Sequence, residues 1–297
     1  GSMPDTYGYE VPEQRAQETL KRFFQGPVNM LDTSRNYAMG ESEKRIGIAI
    51  KENGGWPENF ILSTKIDRNM ETLVLDKKRT RESIEESLKT LNVDSVDILF
   101  LHDPEYVKDV NDVTKKDGAL DELFKIKEEG LAKAVGLAMG KINIMFPILK
   151  NWDFDVIINH NRYTLLNREA DEMYSYAHSK NISIFNAAPY AGGVLAKGPS
   201  NFKKITYQDV TEEKLAPARE IEKVCKKYNV EMGAAALQFS MKDKRITSTL
   251  CGVTSVQSIE KNLSWAQTSI PEKFWSELLK LPFSTKDPES ERIFTPG

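Results

Sequence analysis

Residues 96–102 read Val-Asp-Ile-Leu-Phe-Leu-His, a mostly apolar run that ends in a histidine. Short apolar runs of this kind are typical of parallel strands that are buried on both faces. The run predicts a strand over Val96–Leu101, and six further runs of the same type occur in the sequence. They are Val28–Leu31, Phe60–Ser63, Ala134–Ala138, Val156–Asn159, Ser183–Asn186 and Ser248–Cys251.

Amphipathic stretches separate these strands, with apolar residues at three-to-four spacing and charged residues between them. The clearest are Glu41–Asn53, Lys78–Leu91, Leu120–Glu129, Arg168–Ser179 and Glu213–Tyr228. A helix between two strands returns the chain for another parallel strand by a right-handed crossover. Repeated units of this kind form a closed barrel or an open doubly wound sheet, and the periodicity alone leaves both open.

The chain has 297 residues, of which 40% are hydrophobic and 29% charged, and its net charge is -3. Because α/β barrels reach roughly 250 residues as one unit, we expect a single domain over residues 1–297. The charges of both signs are interspersed, which argues against a nucleic-acid partner. No apolar run approaches the roughly 20 residues of a membrane span, so we expect a small-molecule substrate and no membrane partner.

The two cysteines, Cys225 and Cys251, lack the spacing of metal ligands or of a disulfide framework. We therefore expect no metal site and a reducing, cytoplasmic location. The first residues, Gly1-Ser2-Met3, resemble a cloning remnant before an initiator methionine and not a signal peptide.

Two segments depart from the repeat of strands and helices. Gly192–Tyr207 is rich in Gly, Lys, Pro and Ser, and Phe283–Gly297 is a charged C-terminal tail. Loops and termini of this composition are usually solvated or disordered, and that is our expectation for both. The alternative is that either segment folds over an active site.

Titratable side chains recur where the predicted strands end. Asp32 follows the first strand, Lys65 the second and His102 the third, while Tyr37 lies on the loop after Asp32. Because all strands of a barrel end on one rim, we expect these four residues to converge as a catalytic group, here called the tetrad. Taken singly, each has a structural explanation: a turn cap, a surface amine, a core aromatic and a core histidine.

Together the four side chains form a coherent acid–base group. An ammonium near a phenol lowers the phenol's pKa, which is ordinarily ~10, and a carboxylate keeps that ammonium charged and placed. Lys65 and Asp32 would thus allow Tyr37 to exchange a proton near neutral pH. His102 would hold the substrate oxygen.

Residues 31–43 read Leu-Asp-Thr-Ser-Arg-Asn-Tyr-Ala-Met-Gly-Glu-Ser-Glu. This segment resembles the Asp-Thr-Ala…Tyr-Gly…Ser-Glu signature of the aldo-keto reductases, and Ser63-Thr64-Lys65 and Leu101-His102 continue the match. The resemblance runs from about Val28 to Leu281 and implies an α/β fold, the (β/α)8 TIM barrel. Within the family the chain is most similar to the sugar and pyridoxal dehydrogenases, through residues 102–105, 161–165 and 186–190.

The resemblance also implies a nicotinamide cofactor, NAD or NADP. The Gly-x-Gly-x-x-Gly fingerprint of open-sheet dehydrogenases does not occur in the sequence, which fits a barrel. The positions that correspond to the family's cofactor contacts are Ala188, Tyr190 and Gly192 at the pyrophosphate, Gly252, Val253, Thr254 and Asn262 at the adenosine, and Ser258 near the 2′-position.

The chain departs from the family on the cofactor side. Ala138-Met139 stands where the family has a Ser-Asn pair that holds the nicotinamide carboxamide, so we assign that role to Asn161. Gly252 and Ser258 stand where NADP-dependent members carry a cation, which favours NAD, although Lys261 is close in sequence.

The N-terminal stretch carries Pro4 and Gly8 where the family has its first strand. Either Thr6–Glu10 forms a degenerate first strand, or residues 1–11 are irregular and the barrel is open on that side.

These features predict an NAD(P)-dependent dehydrogenase that oxidises a small polar alcohol, an aldose at its anomeric carbon, with Tyr37 as the base. The alternatives are an NADPH-dependent aldehyde or ketone reductase and a non-catalytic nicotinamide-binding partner protein. The sequence leaves the substrate and the oligomeric state open. We expect the substrate to be selected by loops around Arg35, Trp56, Asp103, Tyr106 and Arg162.

Overall fold

The structure is a computed structural model, and it describes residues 10–290 of the chain. These residues divide into two compact units, 10–157 with 253–259 and 158–252 with 260–290. The organisation of residues 1–297 as a single domain stays a prediction.

The first unit alternates helices with parallel strands. Its elements are α1 (Glu13–Phe23), β1 (Met30–Asp32), α2 (Glu41–Glu52), β2 (Ile61–Ile66), α3 (Lys77–Leu91), β3 (Val96–His102), α4 (Asn111–Thr114), α5 (Ala119–Glu128), β4 (Ala132–Met139) and α6 (Ile142–Asn151). The strands lie in the order β1-β2-β3-β4, and each pairs in parallel with the next. The unit is therefore a repeated strand–helix fold.

The second unit continues the alternation. Its elements are the end of β5 (Val156–His160), α7 (Asp171–Ser179), β6 (Ser183–Ala187), α8 (Val194–Lys197), β7 (Lys204–Ile205), β8 (Gln208–Asp209), α9 (Glu212–Tyr228), α10 (Met232–Met241), β9 (Ser248–Leu250), most of α11 (Val256–Gln267) and α12 (Glu272–Leu278). The strand order is β5-β6-β9, and β7 and β8 form a small antiparallel hairpin.

The seven predicted strands and the five predicted helices are confirmed, with ends shifted by at most three residues. A shift of three residues occurs in β2, which continues to Ile66, so that Lys65 lies inside the strand and not after it. Asp32 and His102 are likewise the last residues of β1 and β3. These three strands end later than predicted because their ends carry polar residues, which the apolar pattern does not include.

The strands of the first unit carry a dense core. Ile66, Leu99 and Leu101 have no exposed surface, and burial of each such side chain contributes about 1.5–3 kcal/mol. One row across three strands joins Lys65 in β2 to Phe100 in β3 and Phe100 to Gly136 in β4. A Cβ on Gly136 would overlap the carbonyl oxygen of Val156 and meet the Phe100 ring at 2.7 Å. Residue 136 is therefore glycine for reasons of space.

The helix α3 shows how the sequence sets the ends of an element. Asp76 caps its N-terminus by accepting a hydrogen bond from the Arg79 backbone N–H at 2.8 Å. At its C-terminus Asn92 takes a left-handed conformation, which asparagine tolerates better than most residues. The caps fix where the chain turns back into β3.

The Gly-rich segment Gly192–Tyr207 was expected to be a solvated loop, and the structure corrects this. It folds into α8 and β7, with Val194 and Leu195 fully buried. Gly192 has a φ of 74°, and a Cβ there would lie 2.7 Å from the backbone nitrogen of Tyr207. The segment therefore packs against itself and belongs to the core of the second unit.

The expectation of a disordered tail is wrong for its described part, residues 283–290. Ser284 pairs with the backbone on both sides of a turn, through Leu166 at 2.9 Å and Arg168 at 2.8 Å. The Asn167 side chain donates a further hydrogen bond to the carbonyl of Lys286 at 2.8 Å. Residues 291–297 lie outside the described residues.

The predicted degenerate strand Thr6–Glu10 falls almost wholly outside the described residues, and Glu10 itself is irregular. Within residues 10–290, β1 has β2 as its single strand partner. An additional strand before β1 thus stays a prediction.

Candidate active site

Three adjacent strands of the first unit bring their last polar residues together. In the parallel register Asp32 lies opposite Ser63, and Lys65 lies opposite Phe100, two residues before His102. Tyr37 begins a 3₁₀ turn, Tyr37–Gly40, directly after β1. The structure thus gathers the predicted tetrad at the carboxyl ends of β1, β2 and β3.

Lys65 forms the buried centre of this group, with a side chain that is 2% exposed. Its ammonium donates to Asp32 Oδ2 at 2.6 Å and to the carbonyl of Thr33 at 2.6 Å. Ser63 donates to the other Asp32 oxygen at 2.7 Å. Two of the three ammonium hydrogens are therefore held within the protein.

The phenol of Tyr37 lies between Lys65 and His102. The Lys65 ammonium is 4.7 Å from the centre of the Tyr37 ring, and the ring of His102 meets that of Tyr37 edge-on at 5.8 Å. A phenol beside a fixed cation and a histidine is suited to proton transfer.

His102 is held by a carboxylate that the sequence analysis did not identify. Its Nδ1 lies 2.6 Å from Oδ1 of Asp67, a fully buried residue that directly follows β2. Burial opposes the imidazolium, but the carboxylates of Asp103 and Asp67 outweigh it and raise the pKa of His102 above its usual value. Burial also favours neutral Asp67, yet His102 and Ser34 hold its pKa below the usual range.

The sequence contains a signal for Asp67. Side chains alternate along a strand, so a residue two positions after Lys65 points to the same face. Extending β2 by this rule would have placed Asp67 beside the tetrad.

The loop after β3 carries two more carboxylates, one of which lies near His102. Asp103 has a left-handed φ of 46°, and its Oδ2 lies 3.6 Å from His102 Nε2, while its buried Oδ1 has no hydrogen-bond partner among the described residues. Glu105 accepts from the backbone N–H of Gly140 at 2.9 Å, and burial and Asp103 raise its pKa to about 7. The Tyr106 ring lies beside Arg68.

Of the other predicted substrate residues, Arg35 lies along the turn that follows Tyr37. Its guanidinium covers Gly40 and its Nε is 3.4 Å from Glu86. Trp56 requires a correction. It donates to the carbonyl of Phe60 at 3.0 Å, at the start of β2, and five residues of extended chain, roughly 16 Å, separate Phe60 from Lys65. Trp56 packs in an aromatic cluster and is no candidate for contact with the substrate.

The prediction that Arg162 helps to select the substrate also requires a correction, because its guanidinium forms ion pairs inside the second unit. Its side chain is 1% exposed and donates to Glu289 at 2.6 Å and to Asp287 at 2.6 Å. Glu169 lies 3.6 Å from its Nε. Arg162 thus fixes the C-terminal segment, and none of its charge is left for a substrate.

Asn161 fits the predicted contact with a nicotinamide carboxamide. It is 1% exposed, has a left-handed φ of 62°, and its Oδ1 has no hydrogen-bond partner among the described residues. A buried acceptor without a donor is costly, which makes Asn161 a candidate for a contact with a ligand. The departure at Ala138-Met139 is genuine, since both side chains are buried and apolar.

The remaining cofactor candidates lie in loops after strands. Ala188 has a left-handed φ of 55° after β6, and Tyr190 is bonded to Asn262 through its hydroxyl. Gly252 has open space where a Cβ would stand. Ser258, at the start of α11, accepts from the backbone N–H of Thr254 at 3.0 Å. Val253 lies on the same loop, between β9 and α11.

Residues 10–290 contain no group of three or more His, Cys, Asp or Glu side chains placed to hold a metal ion. No helix within the same residues has the length and apolar character that a membrane span needs.

The parallel strand–helix units and the tetrad define an oxidoreductase that acts on an alcohol or a carbonyl group. The sequence profile of the Aldo/keto reductase family matches residues 1–281, and the chain belongs to this family. It is an enzyme that uses a nicotinamide cofactor and a small-molecule substrate.

Three characterised relatives are similar over most of their length. L-galactose dehydrogenase of Arabidopsis thaliana is 30% identical over 86% of this chain and 78% of the relative. D-threo-aldose 1-dehydrogenase of a Pseudomonas species is 27% identical over 90% and 88%. Pyridoxal 4-dehydrogenase of Microbacterium luteolum is 24% identical over 91% and 90%. The predicted similarity to the sugar and pyridoxal dehydrogenases is confirmed.

Among solved structures, the holo form of an aldo-keto reductase from Bacillus halodurans matches with a TM-score of 0.78. The match covers 98% of this chain and 93% of the other at 19% identity. This likeness and the family match confirm the predicted (β/α)8 barrel class.

Proposed function

We propose that the enzyme oxidises an aldose at its anomeric carbon to the lactone, with NAD as the electron acceptor. The observation that carries the proposal is the fixed ammonium of Lys65 beside the Tyr37 ring, 4.7 Å from its centre. With two hydrogens bound to Asp32 and Thr33, the ammonium keeps one donor for the phenol oxygen. It thereby stabilises the phenolate that must take the proton of the substrate hydroxyl.

The other residues of the site bind and orient the substrate. His102 is placed to hold the reacting oxygen, and Asp103 offers a buried oxygen without a partner next to it. A second hydroxyl on the carbon beside the reacting one would fill that acceptor. A polyhydroxylated substrate therefore suits this site better than a simple alcohol.

The chain's residues also fit the cofactor. When bound, the nicotinamide accepts the hydride that leaves the substrate carbon. Asn161 Oδ1 would accept from the carboxamide, which satisfies the buried oxygen described above. Tyr190 and Asn262, which are joined by a hydrogen bond, are proposed as contacts for the rest of the dinucleotide.

The preference for NAD rests on charge. A 2′-phosphate needs a guanidinium or an ammonium as partner, and neither Gly252 nor Ser258 supplies one. Lys261, the nearest cation in sequence, is paired with Glu231 at 2.6 Å. The relatives named as L-galactose and D-threo-aldose dehydrogenases support an oxidative role on sugars.

The proposal is tested by mixing purified protein with NAD or NADP and a panel of aldoses and following the formation of reduced nicotinamide. We expect turnover with NAD, a lactone product, and no turnover by Tyr37→Phe at unchanged circular dichroism. Turnover only of aldehydes with NADPH would establish a carbonyl reductase instead. Tight nicotinamide binding without any turnover would establish a binding protein, and either result overturns the proposal.

A further inference from the structure

A cleft lies beside the loop that carries Tyr37. It has a volume of about 210 Å³ and is lined by residues of that loop, of the loop after β2 and of α3. Within residues 10–290, its charged lining consists of three arginines and one carboxylate, namely Arg35, Arg68, Arg79 and Glu86. Binding sites for whole small molecules usually measure roughly 300–1,000 Å³, so the cleft suits a single functional group.

Arg79 is fixed by contacts on both sides of its guanidinium. Its two terminal nitrogens donate to the two oxygens of Glu86, Nη1 at 3.0 Å and Nη2 at 2.9 Å. Its Nε donates to the backbone carbonyl of Asp67 at 3.1 Å. The largely buried side chain of Arg79 therefore holds its charge at the wall of the cleft.

Arg35 reaches the same carboxylate from the loop after β1. Its Nε lies 3.4 Å from Oε2 of Glu86, and its side chain is partly exposed. Gly40 makes room for this guanidinium, because a Cβ at residue 40 would overlap Nη1 of Arg35. Two guanidinium groups therefore share one carboxylate.

Arg68 adds a third guanidinium from the loop after β2, buried and 5.5 Å from the centre of the Tyr106 ring. Two further carboxylates interact with these arginines from outside the lining. Glu82 lies 3.8 Å from Arg79 but is exposed, which weakens the pair, and burial raises the pKa of Glu43. In the described part of the chain the lining thus carries three positive charges and one negative charge, an excess of two.

We propose that this cleft binds an oxyanion, a phosphate or a carboxylate group. A guanidinium matches such an anion in charge and in the geometry of two parallel hydrogen bonds. The cleft adjoins the tetrad, because Asn36 in its lining directly precedes Tyr37. Arg68 directly follows Asp67, which contacts His102. The anion is either carried by the substrate, on a carbon other than the oxidised one, or free in solution.

The site is tested by calorimetric titration with inorganic phosphate at constant ionic strength. The protein is first saturated with the nicotinamide dinucleotide that it binds more tightly, so that phosphate cannot enter the cofactor site. We expect the parent to bind phosphate and Arg35→Gln to bind it at least about tenfold more weakly, because hydrogen bonds from a charged group are lost. Arg219→Gln in α9 is the matched control, since Arg219 is also partly exposed and paired with a glutamate, and it should bind phosphate like the parent.

Glu86→Gln changes the charge in the opposite direction. It removes the negative charge of the lining and keeps an oxygen that accepts from Arg79, so phosphate should bind more tightly than in the parent. The proposal is overturned if the parent binds no phosphate, or if Arg35→Gln, folded by circular dichroism, binds it as tightly as the parent. Should Arg35→Gln not fold, unchanged or weaker binding by Glu86→Gln overturns the proposal.

Turnover distinguishes the two sources of the anion. An aldose is compared with its terminal phosphate ester and with its uronic acid, in the parent and in Arg35→Gln. If the substrate carries the anion, kcat/KM of the parent is higher for the charged sugars, and Arg35→Gln removes the difference. If the anion is free, kcat/KM does not depend on the charge of the sugar, while phosphate still binds in the titration. This comparison rests on the proposed sugar oxidation, whereas the titration needs no turnover, so the two failures are distinguishable.

Discussion

Lys65 and Arg162 are both buried cations, 2% and 1% exposed, yet their surroundings differ. Lys65 meets a single carboxylate, Asp32, and a backbone carbonyl, and keeps a donor beside the Tyr37 phenol. Arg162 meets Asp287, Glu289 and Glu169, and its charge is more than compensated. Burial of a charge alone therefore does not indicate a catalytic role, and the two cations differ in that Lys65 contacts the Tyr37 ring whereas Arg162 contacts three carboxylates.

The largest expected effect is on turnover by Lys65→Met. The phenolate of Tyr37 loses its cation, so the rate of nicotinamide reduction should fall on the order of 10²–10⁴-fold. Steady-state kinetics with the best aldose measure the loss, and Lys133→Met, which removes an exposed lysine, serves as control. Activity of Lys65→Met within tenfold of the parent would show that Lys65, like Arg162, is not needed for catalysis.

Arg162→Met should instead act on stability. Loss of the guanidinium removes the ion-pair partner of Glu289, which is 2% exposed, and of Asp287, which is 23% exposed; breaking such a largely buried pair costs about 3–5 kcal/mol of unfolding free energy. Urea unfolding measures this cost. In Lys203→Met, which breaks an exposed ion pair, the midpoint should not move. A midpoint as high in Arg162→Met as in the parent would show that the C-terminal segment does not depend on this residue.

Asn161 extends the comparison to a neutral side chain with unused capacity. In Asn161→Ala the carboxamide of the nicotinamide loses its acceptor, and the loss of about 1–3 kcal/mol corresponds to a Kd roughly 5- to 150-fold weaker. Calorimetric titration with NAD measures the affinity, with Asn201→Ala on the surface as control. Equal affinities would exclude Asn161 from the cofactor site.

The last expected effect is a pH dependence of the unfolding free energy, which arises from Glu169 beside Arg162. Burial and Asp287 raise the pKa of Glu169 to about 7, against ~4.3 in an unfolded chain. Between these values the folded protein binds more protons, so the stability contributed by Glu169 is complete below ~4.3 and is lost as pH rises towards 7.

Glu169→Gln removes this titration. Relative to the parent, the variant should gain stability as pH rises from ~4.3 to about 7 and show no further change above it. Urea midpoints of both proteins across that range give the difference directly. A difference that is independent of pH would show that Glu169 titrates in the same way in the folded and unfolded chains.

The sequence predicted those features of the structure that depend on the pattern of apolar and polar residues over a short stretch of chain. Apolar runs located seven of the nine described strands, all but the two-residue strands β7 and β8, and the polar residues that end the runs located the tetrad. The helix α10 was not among the predicted helices, because it is buried on nearly all sides and lacks an amphipathic period. A helix without a solvated face thus leaves no amphipathic period in the sequence.

Contacts between residues that are far apart in the chain could not be predicted from the sequence. Arg162 matched a position where a substrate contact was expected, but its partner Glu289 lies 127 residues away, in a tail whose composition indicated disorder. Trp56 was expected among the loops that select the substrate, but it lies before β2, and the loop before a strand and the loop after it look alike in sequence. Asp67 was missed because β2 was predicted to end too early.

Gly136 has no reactive atom, but the absence of a side chain leaves room for the ring of Phe100. Phe100 in turn lies opposite Lys65 in the sheet. A Cβ at residue 136 would overlap the carbonyl oxygen of Val156 and lie 2.7 Å from the Phe100 ring, so the backbone and the ring would both have to move. In sequences that diverge under selection for activity, glycine at position 136 should therefore be retained as consistently as the residues of the tetrad. The positions at which a substitution reduces activity should therefore include Gly136, although this residue takes no part in the chemistry.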